Sequence, residues 1–236
     1  MKRILFVIDP GHGDTDPGAL GNGLVEKKLT LKIAQRIGAY LGDRAEVIYT
    51  RTTDKFVSLS DRATFANKLG ADYFISVHIN AGGGTGFESF VYTTITAGSK
   101  TESLRTTIHS KVAPVFTRRG LPDRGKKSKD LAVLRQTSMP SVLLEYGFID
   151  RDVDAELLKD DKFLDELARA TADGLAEAFG LPAVPEPAAD LDRVLAKLHA
   201  AGVIDSPDYW AANARDGSTA KGEYVAKLLK NMAERL

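Results

Sequence analysis

The chain of 236 residues contains no cysteine, so neither a disulfide nor a thiolate metal site can form. Any metal ion must therefore be held by histidine and carboxylate side chains. The formal net charge is zero, which removes any bulk attraction to nucleic acid or to an anionic membrane surface. No apolar run approaches the roughly 20 residues of a membrane-spanning helix. We therefore expect no nucleic-acid partner and no insertion into a membrane.

The N-terminus carries basic residues before a short apolar run, as a secretion signal does. Lys2 and Arg3 precede residues 4–8, which are all apolar. This run is shorter than the roughly 7–15 apolar residues of a signal-peptide core, and it continues directly into Asp9. We interpret it as a buried strand. We expect no signal peptide and a protein that stays in the cytoplasm until it is released.

Apolar patterning predicts that strands alternate with helices over residues 1–181. Strands are expected at 3–9, 45–50, 73–79, 87–92, 132–135 and 141–146, and helices at 27–41, 60–69, 101–116, 152–158 and 163–179. The Gly- and Pro-rich stretch 10–23 and the basic stretch 118–130 are interpreted as loops. The alternation is typical of an α/β fold, here with a twisted, mostly parallel or mixed sheet of about six strands flanked by helices.

The composition changes after residue 181, where three prolines fall within the stretch 182–189. Closely spaced prolines favour a stiff, extended linker. We therefore predict a large domain at 1–181, a linker at 182–189 and a small all-α domain at 190–236. Most apolar residues of this small domain must build its own core. An aromatic side chain left exposed, with Trp210 as the candidate, would suit carbohydrate binding.

Four residues stand where an α/β fold collects its chemistry. His12, His78 and Glu145 each lie at or just beyond the end of an apolar run, and Glu26 stands where a predicted helix begins. Two histidines and one carboxylate suit a catalytic zinc that keeps a position open for water. A second carboxylate can then act as general base. Each residue also has a simpler interpretation, such as a loop histidine or a helix-start acid, so their joint pattern carries the prediction.

The sequence resembles the zinc-dependent N-acetylmuramoyl-L-alanine amidases of the type 3 family, which act on peptidoglycan. The matching pieces appear in family order over residues 1 to 180 and are specific as a set. They are residues 8–13 (Ile-Asp-Pro-Gly-His-Gly), 18–19 with 26–27, 50–51 with Asp54, Arg62 with 66–67, 76–81 (Ser-Val-His-Ile-Asn-Ala) with 86–88, 131–135, and 144–149 (Leu-Glu-Tyr-Gly-Phe-Ile).

The resemblance implies that His12, Glu26 and His78 bind one Zn²⁺ per chain and that Glu145 is the catalytic carboxylate. It implies hydrolysis of the amide bond between N-acetylmuramic acid and L-alanine by zinc-activated water, with Glu145 handling the proton. Asn80 lies just past a predicted ligand, and we expect it to line the substrate groove.

Three functions stay open at this point. The first is a peptidoglycan amidase, either a phage-type lysin or an autolytic enzyme, that acts on the cell wall after release. The second is a zinc carboxypeptidase or endopeptidase of the stem peptide, which would share the metal site. The third is a wall-binding protein without catalysis, which would not need Glu145. Residues 190–236 are expected to bind the wall, with a secondary wall polymer as the candidate ligand and dimerisation as the alternative.

Overall fold

The fold is that of a computed structural model, which describes residues 3–184, 187–214 and 219–233. The chain divides into two compact units, Met1–Val184 and Pro185–Leu236. The first unit contains a sheet flanked by helices. The second is built from helices throughout its described residues.

A mixed sheet of six strands forms the centre of the first unit. Its strands are β1 (Leu5–Pro10), β4 (Glu46–Tyr49), β5 (Tyr73–Asn80), β6 (Phe87–Val91), β7 (Asp123–Ser128) and β8 (Ser141–Phe148); β2 (Leu20–Gly21) and β3 (Leu24–Val25) pair as a separate hairpin. The order across the sheet is β4-β1-β5-β8-β6-β7. Neighbouring strands run parallel except β8 and β6, which are antiparallel. The predicted α/β class and mixed sheet are confirmed.

Six α-helices accompany this sheet within residues 3–184. They are α1 (Glu26–Leu41), α2 (Leu59–Leu69), α3 (Lys100–Thr117), α4 (Ala132–Gln136), α5 (Asp152–Lys159) and α6 (Asp161–Ala178). Helix α2 shows why these boundaries fall where they do. Ser58 Oγ accepts a hydrogen bond from the Asp61 N–H at its start, and Gly70 ends it in the left-handed conformation.

The two faces of the sheet are packed differently. Successive side chains of a strand point to opposite faces, and the apolar ones fall into two separate clusters. The larger cluster joins the sheet to α1, α3 and α6. The smaller cluster joins it to α2 and α4. We call these the thick face and the thin face of the sheet.

Two predicted elements were wrong. The stretch 118–130, predicted as a loop, contains β7, which pairs with β6 alone at the edge of the sheet. An edge strand needs no alternating apolar side chains, so its basic sequence gave no strand signal. Residues 132–135, predicted as a strand, belong to α4. Its single helical turn is too short for a helical period to show, and it buries Val133 and Leu134 against the thin face.

The second unit consists, in its described residues, of α7 (Pro187–Ala200), α8 (Pro207–Asn213) and α9 (Gly222–Ala233). Helix α7 begins inside the range predicted as a linker; proline is tolerated in the first turn of a helix. Leu195, Val203, Ile204 and Trp210 form the core of this unit. Trp210 is 8% exposed, so the suggestion that it is a surface aromatic was wrong.

None of the helices in the described ranges has the length and apolar character needed to cross a membrane.

Candidate metal centre

His12 lies in the loop that follows β1, and its backbone is held in an unusual conformation. Its φ of 62° is in the left-handed region, which non-glycine residues adopt at a cost in energy. Arg62 secures the loop, because its Nη1 donates to the Pro10 carbonyl at 2.7 Å and its Nη2 to the His12 carbonyl at 2.8 Å. Arg51 adds a bond from Nη2 to the Gly11 carbonyl at 2.8 Å.

Asp9 anchors this arrangement from within the sheet. Its buried carboxylate accepts hydrogen bonds from Arg62 Nη1 at 2.7 Å, Thr50 Oγ1 at 2.6 Å and Ser76 Oγ at 2.7 Å. None of these residues has a role predicted from the sequence, although all of them lie in the stretches that resemble the family. Asp9 itself indicated such a network, because a charged residue at the end of a buried strand requires hydrogen-bonding or oppositely charged partners.

The structure brings His12, Glu26 and His78 together, with one ligand atom from each lying within 4.8 Å of the others. Glu26 is the first residue of α1, and its Oε1 lies 3.1 Å from His12 Nε2 and 3.0 Å from His78 Nδ1. The remaining nitrogen of His12, Nδ1, lies 2.8 Å from Asp16 Oδ2. A carboxylate at Nδ1 favours the tautomer that leaves Nε2 free as a ligand.

Two glycines make room for this cluster. A Cβ atom on Gly11 would lie 2.3 Å from Cε1 of the His78 ring. A Cβ atom on Gly18, whose φ is 68°, would lie 2.6 Å from Glu26 Oε2. Any larger residue at either position would therefore push a member of the cluster out of place.

The Glu26 carboxylate is stabilised in its charged form. Burial would raise its pKa, but hydrogen bonds with His12 and His78 outweigh this effect and hold the pKa well below the usual range. Backbone N–H groups of Ala19 and Ile79 also donate to its two oxygens, at 2.7 and 3.0 Å. An anionic oxygen between two imidazoles has the donor chemistry of a divalent transition-metal site.

Glu145 lies on β8 directly beside His78 in the strand register. Its Oε2 is buried and has no hydrogen-bond partner among the residues that the structure describes. Burial raises the pKa of Glu145 to about 7. Such a carboxyl group can take up and release a proton near neutral pH, as a general base or acid does.

Asn80, predicted to line the substrate groove, is engaged with other protein groups. Its Nδ2 donates to Glu88 Oε1 at 2.6 Å, and its Oδ1 accepts from the Ala81 N–H at 2.9 Å. Glu88 also accepts from Arg124 Nε at 2.7 Å and from Lys127 Nζ. We call Asn80, Glu88, Arg124 and Lys127 the Glu88 cluster. Sequence reasoning missed Glu88 as a site residue.

The α/β sheet, the three-donor cluster and the buried carboxylate oxygen beside it together form an arrangement that could support metal-assisted hydrolysis. A model of the N-acetylmuramoyl-L-alanine amidase family matches residues 6–177. The chain belongs to this family.

Relatives of known name agree with this membership. A sporulation-specific N-acetylmuramoyl-L-alanine amidase of Bacillus subtilis is 49% identical over 181 residues, covering 75% of this chain and 69% of the relative. An endolysin of Bacillus phage SPP1 is 45% identical over 184 residues, covering 77% and 68%. The catalytic domain of CwlV, an N-acetylmuramoyl-L-alanine amidase from Bacillus (Paenibacillus) polymyxa var. colistinus, matches with a TM-score of 0.70 and 32% identity over 77% of this chain and 100% of that one.

Proposed function

We propose that this chain is a peptidoglycan amidase that hydrolyses the bond between N-acetylmuramic acid and L-alanine, with a zinc ion held by His12, Glu26 and His78. The observation that carries the proposal is the position of Glu145. Glu145 is registered beside His78, and its buried Oε2 has no hydrogen-bond partner within the described part of the chain. Family membership and relatives named as amidases and as an endolysin support the same activity.

The donor set fits zinc. Two imidazole nitrogens and one carboxylate oxygen are the ligands of many catalytic zinc sites, which keep a further position for water or substrate. When bound, one zinc ion per chain would supply Lewis acidity that polarises the amide carbonyl and lowers the pKa of water.

The protein's own groups handle the proton and the charge. Glu145 accepts a proton from the water that attacks the lactyl carbonyl carbon. It then delivers this proton to the nitrogen of L-alanine as the C–N bond breaks. Its raised pKa, about 7, suits both transfers. The products are a lactyl carboxylate on the sugar and a free amino group on the peptide.

The test of this function is an assay of new chain ends. Purified protein is incubated with isolated Gram-positive walls, with and without a chelator and added zinc. We expect chelator-sensitive release of L-alanine amino groups without new reducing sugar. New amino groups on other residues would instead indicate a peptidase of the stem peptide. Zinc binding without cleavage of several wall types would indicate a binding protein.

We also propose that the large catalytic domain acts on the wall from outside the cytoplasm and that the second unit holds it there by binding a secondary wall polymer. Val225, Leu229 and Met232 of α9 are exposed apolar residues, with Leu229 62% exposed. A linked module raises the local concentration of an enzyme at its substrate. Leu229→Ser should weaken retention on walls without changing cleavage of a soluble muropeptide. Unchanged retention would contradict this role, and a change in oligomeric state would favour dimerisation.

A further inference from the structure

A row of side chains leads from the metal centre to the edge of the sheet. His78 on β5 is registered with Glu145 on β8, and Glu145 with Glu88 on β6. Directly paired residues point to the same face of a sheet, so all three side chains lie on one face. The edge strand β7 comes next. Because adjacent strands are roughly 4.8 Å apart, a peptide that leaves the metal centre along this row reaches β7 within a few residues.

Arg124 on β7 is oriented toward this row. Its Nε donates to Glu88 Oε2 at 2.7 Å, and its guanidinium carbon lies 4.8 Å from the centroid of the Phe148 ring. Within the described ranges, neither of its terminal Nη atoms bonds to a protein group. The side chain is 32% exposed. Glu88 therefore holds the Nε edge of the Arg124 guanidinium in place. The two terminal Nη atoms stay available and can donate two parallel hydrogen bonds to a carboxylate.

The strand geometry and the charge balance favour an anion at this point. The pairing of β6 with β7 shifts register between Phe87 and Ser89, and a bulge of this kind re-aims the side chains beside it. Gly125, with a φ of 83°, supplies the conformation that the bulge needs. Glu88 contributes one negative charge and is 5% exposed, whereas Arg124 and Lys127 contribute two positive charges and are 32% and 39% exposed. The exposed side of the cluster carries the surplus positive charge.

We propose that Arg124, held by Glu88 and Phe148, binds a free carboxylate of the stem peptide next to the scissile amide and thereby sets substrate specificity. This inference rests on the proposed function. Arg124 reaches Glu88 on β6, and β6 lies two strand spacings, roughly 10 Å, from β5. The first residue of the stem with a free carboxylate beyond the scissile amide follows L-alanine, so its carboxylate is the candidate ligand. A stem in which this group is a neutral carboxamide would lose the charge-assisted pair and bind less tightly.

The experiment compares two muropeptides that differ in this one group. Both are N-acetylmuramoyl-L-alanyl-γ-D-glutamyl peptides, one with a free α-carboxylate and one with the α-carboxamide. With the zinc-loaded full chain we expect kcat/KM to favour the carboxylate by about tenfold to a hundredfold, mainly through KM. Arg124→Gln should reduce the ratio of the two kcat/KM values, carboxylate over carboxamide, to about one. Arg124→Lys, which keeps the charge but not the fork, should fall between them.

A matched control variant and a binding measurement test whether the preference for the carboxylate depends on Arg124. Arg118→Gln removes an exposed arginine outside the Glu88 cluster and should leave the preference intact. Calorimetry with the free L-alanyl-γ-D-glutamate dipeptide and its carboxamide measures the same preference without cleavage. A wild type that shows no preference in either measurement overturns the inference, as does an equal loss on both muropeptides in Arg124→Gln. A binding preference without any cleavage supports the inference and contradicts the proposed amidase function.

Discussion

The two faces of the sheet differ in what their side chains do. On the thick face, β8 contributes Leu144 and Tyr146 to the large apolar cluster with α1, α3 and α6. On the thin face, the same strand contributes Leu143 to the small cluster and then Glu145 to the site. The polar side chains around the candidate metal centre also lie on the thin face. They are Asp9, Ser76, His78, Asn80, Glu88 and Glu145.

One sheet can therefore serve stability through its thick face and the proposed catalysis through its thin face. The thick face buries hydrocarbon, which is the main favourable term in folding. The thin face packs its apolar side chains against α2 and α4. Its charged groups are held by paired hydrogen bonds, which contribute little net stability but fix geometry. Substitutions on the thin face should therefore change metal binding or activity, with or without a loss of stability, whereas substitutions on the thick face should change stability alone.

The largest effect should come from Glu145→Gln on the thin face. Glutamine preserves the shape of the side chain but cannot accept and return a proton, so cleavage should fall by about 10²–10⁴-fold. Zinc content and the unfolding midpoint should stay near those of the wild type. Amino-group release from walls and metal analysis of the purified variant check both points. Undiminished cleavage would remove Glu145 from the mechanism.

Arg62→Ala tests the charged scaffold of the thin face. Arg62 and Asp9 are both almost fully buried, and removing one partner leaves an uncompensated charge. The free energy of unfolding should fall by about 3–5 kcal/mol. Zinc affinity should fall as well, because the loop that carries His12 loses its hydrogen bonds from Arg62. Urea unfolding and zinc titration measure the two effects, and Arg118→Ala, at an exposed position, should change neither.

A matched pair on β8 compares the faces directly. Leu144 is 0% exposed on the thick face, and its neighbour Leu143 is 5% exposed on the thin face. Leu→Ala in a core costs about 2–5 kcal/mol, depending on how far the site can collapse. We expect Leu144→Ala to fall near the upper end and Leu143→Ala near the lower end in urea unfolding. The reverse order would contradict the assignment of the main core to the thick face.

The smallest predicted effect is on the pH dependence of stability and comes from His109, a polar residue on the thick face. It lies 2.7 Å from Ser89 Oγ through Nδ1 and 2.9 Å from Asp123 Oδ1 through Nε2. Burial lowers the pKa of His109, against the opposing effect of Asp123. The unfolded chain therefore binds a proton more readily, so stability is lost as the pH falls below about 6.5.

His109→Gln should remove this contribution. The free energy of unfolding, measured between about pH 5 and pH 8, should decline less steeply toward acid in the variant than in the wild type. The contacts with Glu26 that raise the pKa values of His12 and His78 against the effect of burial are the same in both proteins, so the difference between the two curves isolates His109. Identical slopes would show that His109 keeps its ordinary pKa.

The helices and strands that have a local apolar pattern were predicted from the sequence. The apolar run of β5 and the helical spacing in α1 gave elements within a few residues of those observed, and the positions after the apolar runs gave His12, His78 and Glu145. The resemblance to a known family added their proposed roles. The basic strand β7 was not predictable, because its pairing with β6 is a long-range event that leaves no apolar pattern. Glu88 lies in the stretch 86–88 that resembles the family, but its role could not be assigned, because Arg124 and Lys127 reach it only through that pairing.

His78, Glu145 and Glu88 are aligned across three strands, so the site is sensitive to an insertion or deletion within β8. A shift of β8 by a single residue would turn Glu145 toward the thick face and bring Leu144 or Tyr146 to the metal centre. Such a chain would lose the carboxylate that we propose as catalytic and would bury a charge among apolar side chains. We therefore expect changes in length to be tolerated in the surface loops, and an insertion or deletion within β8 to prevent folding rather than only to remove activity.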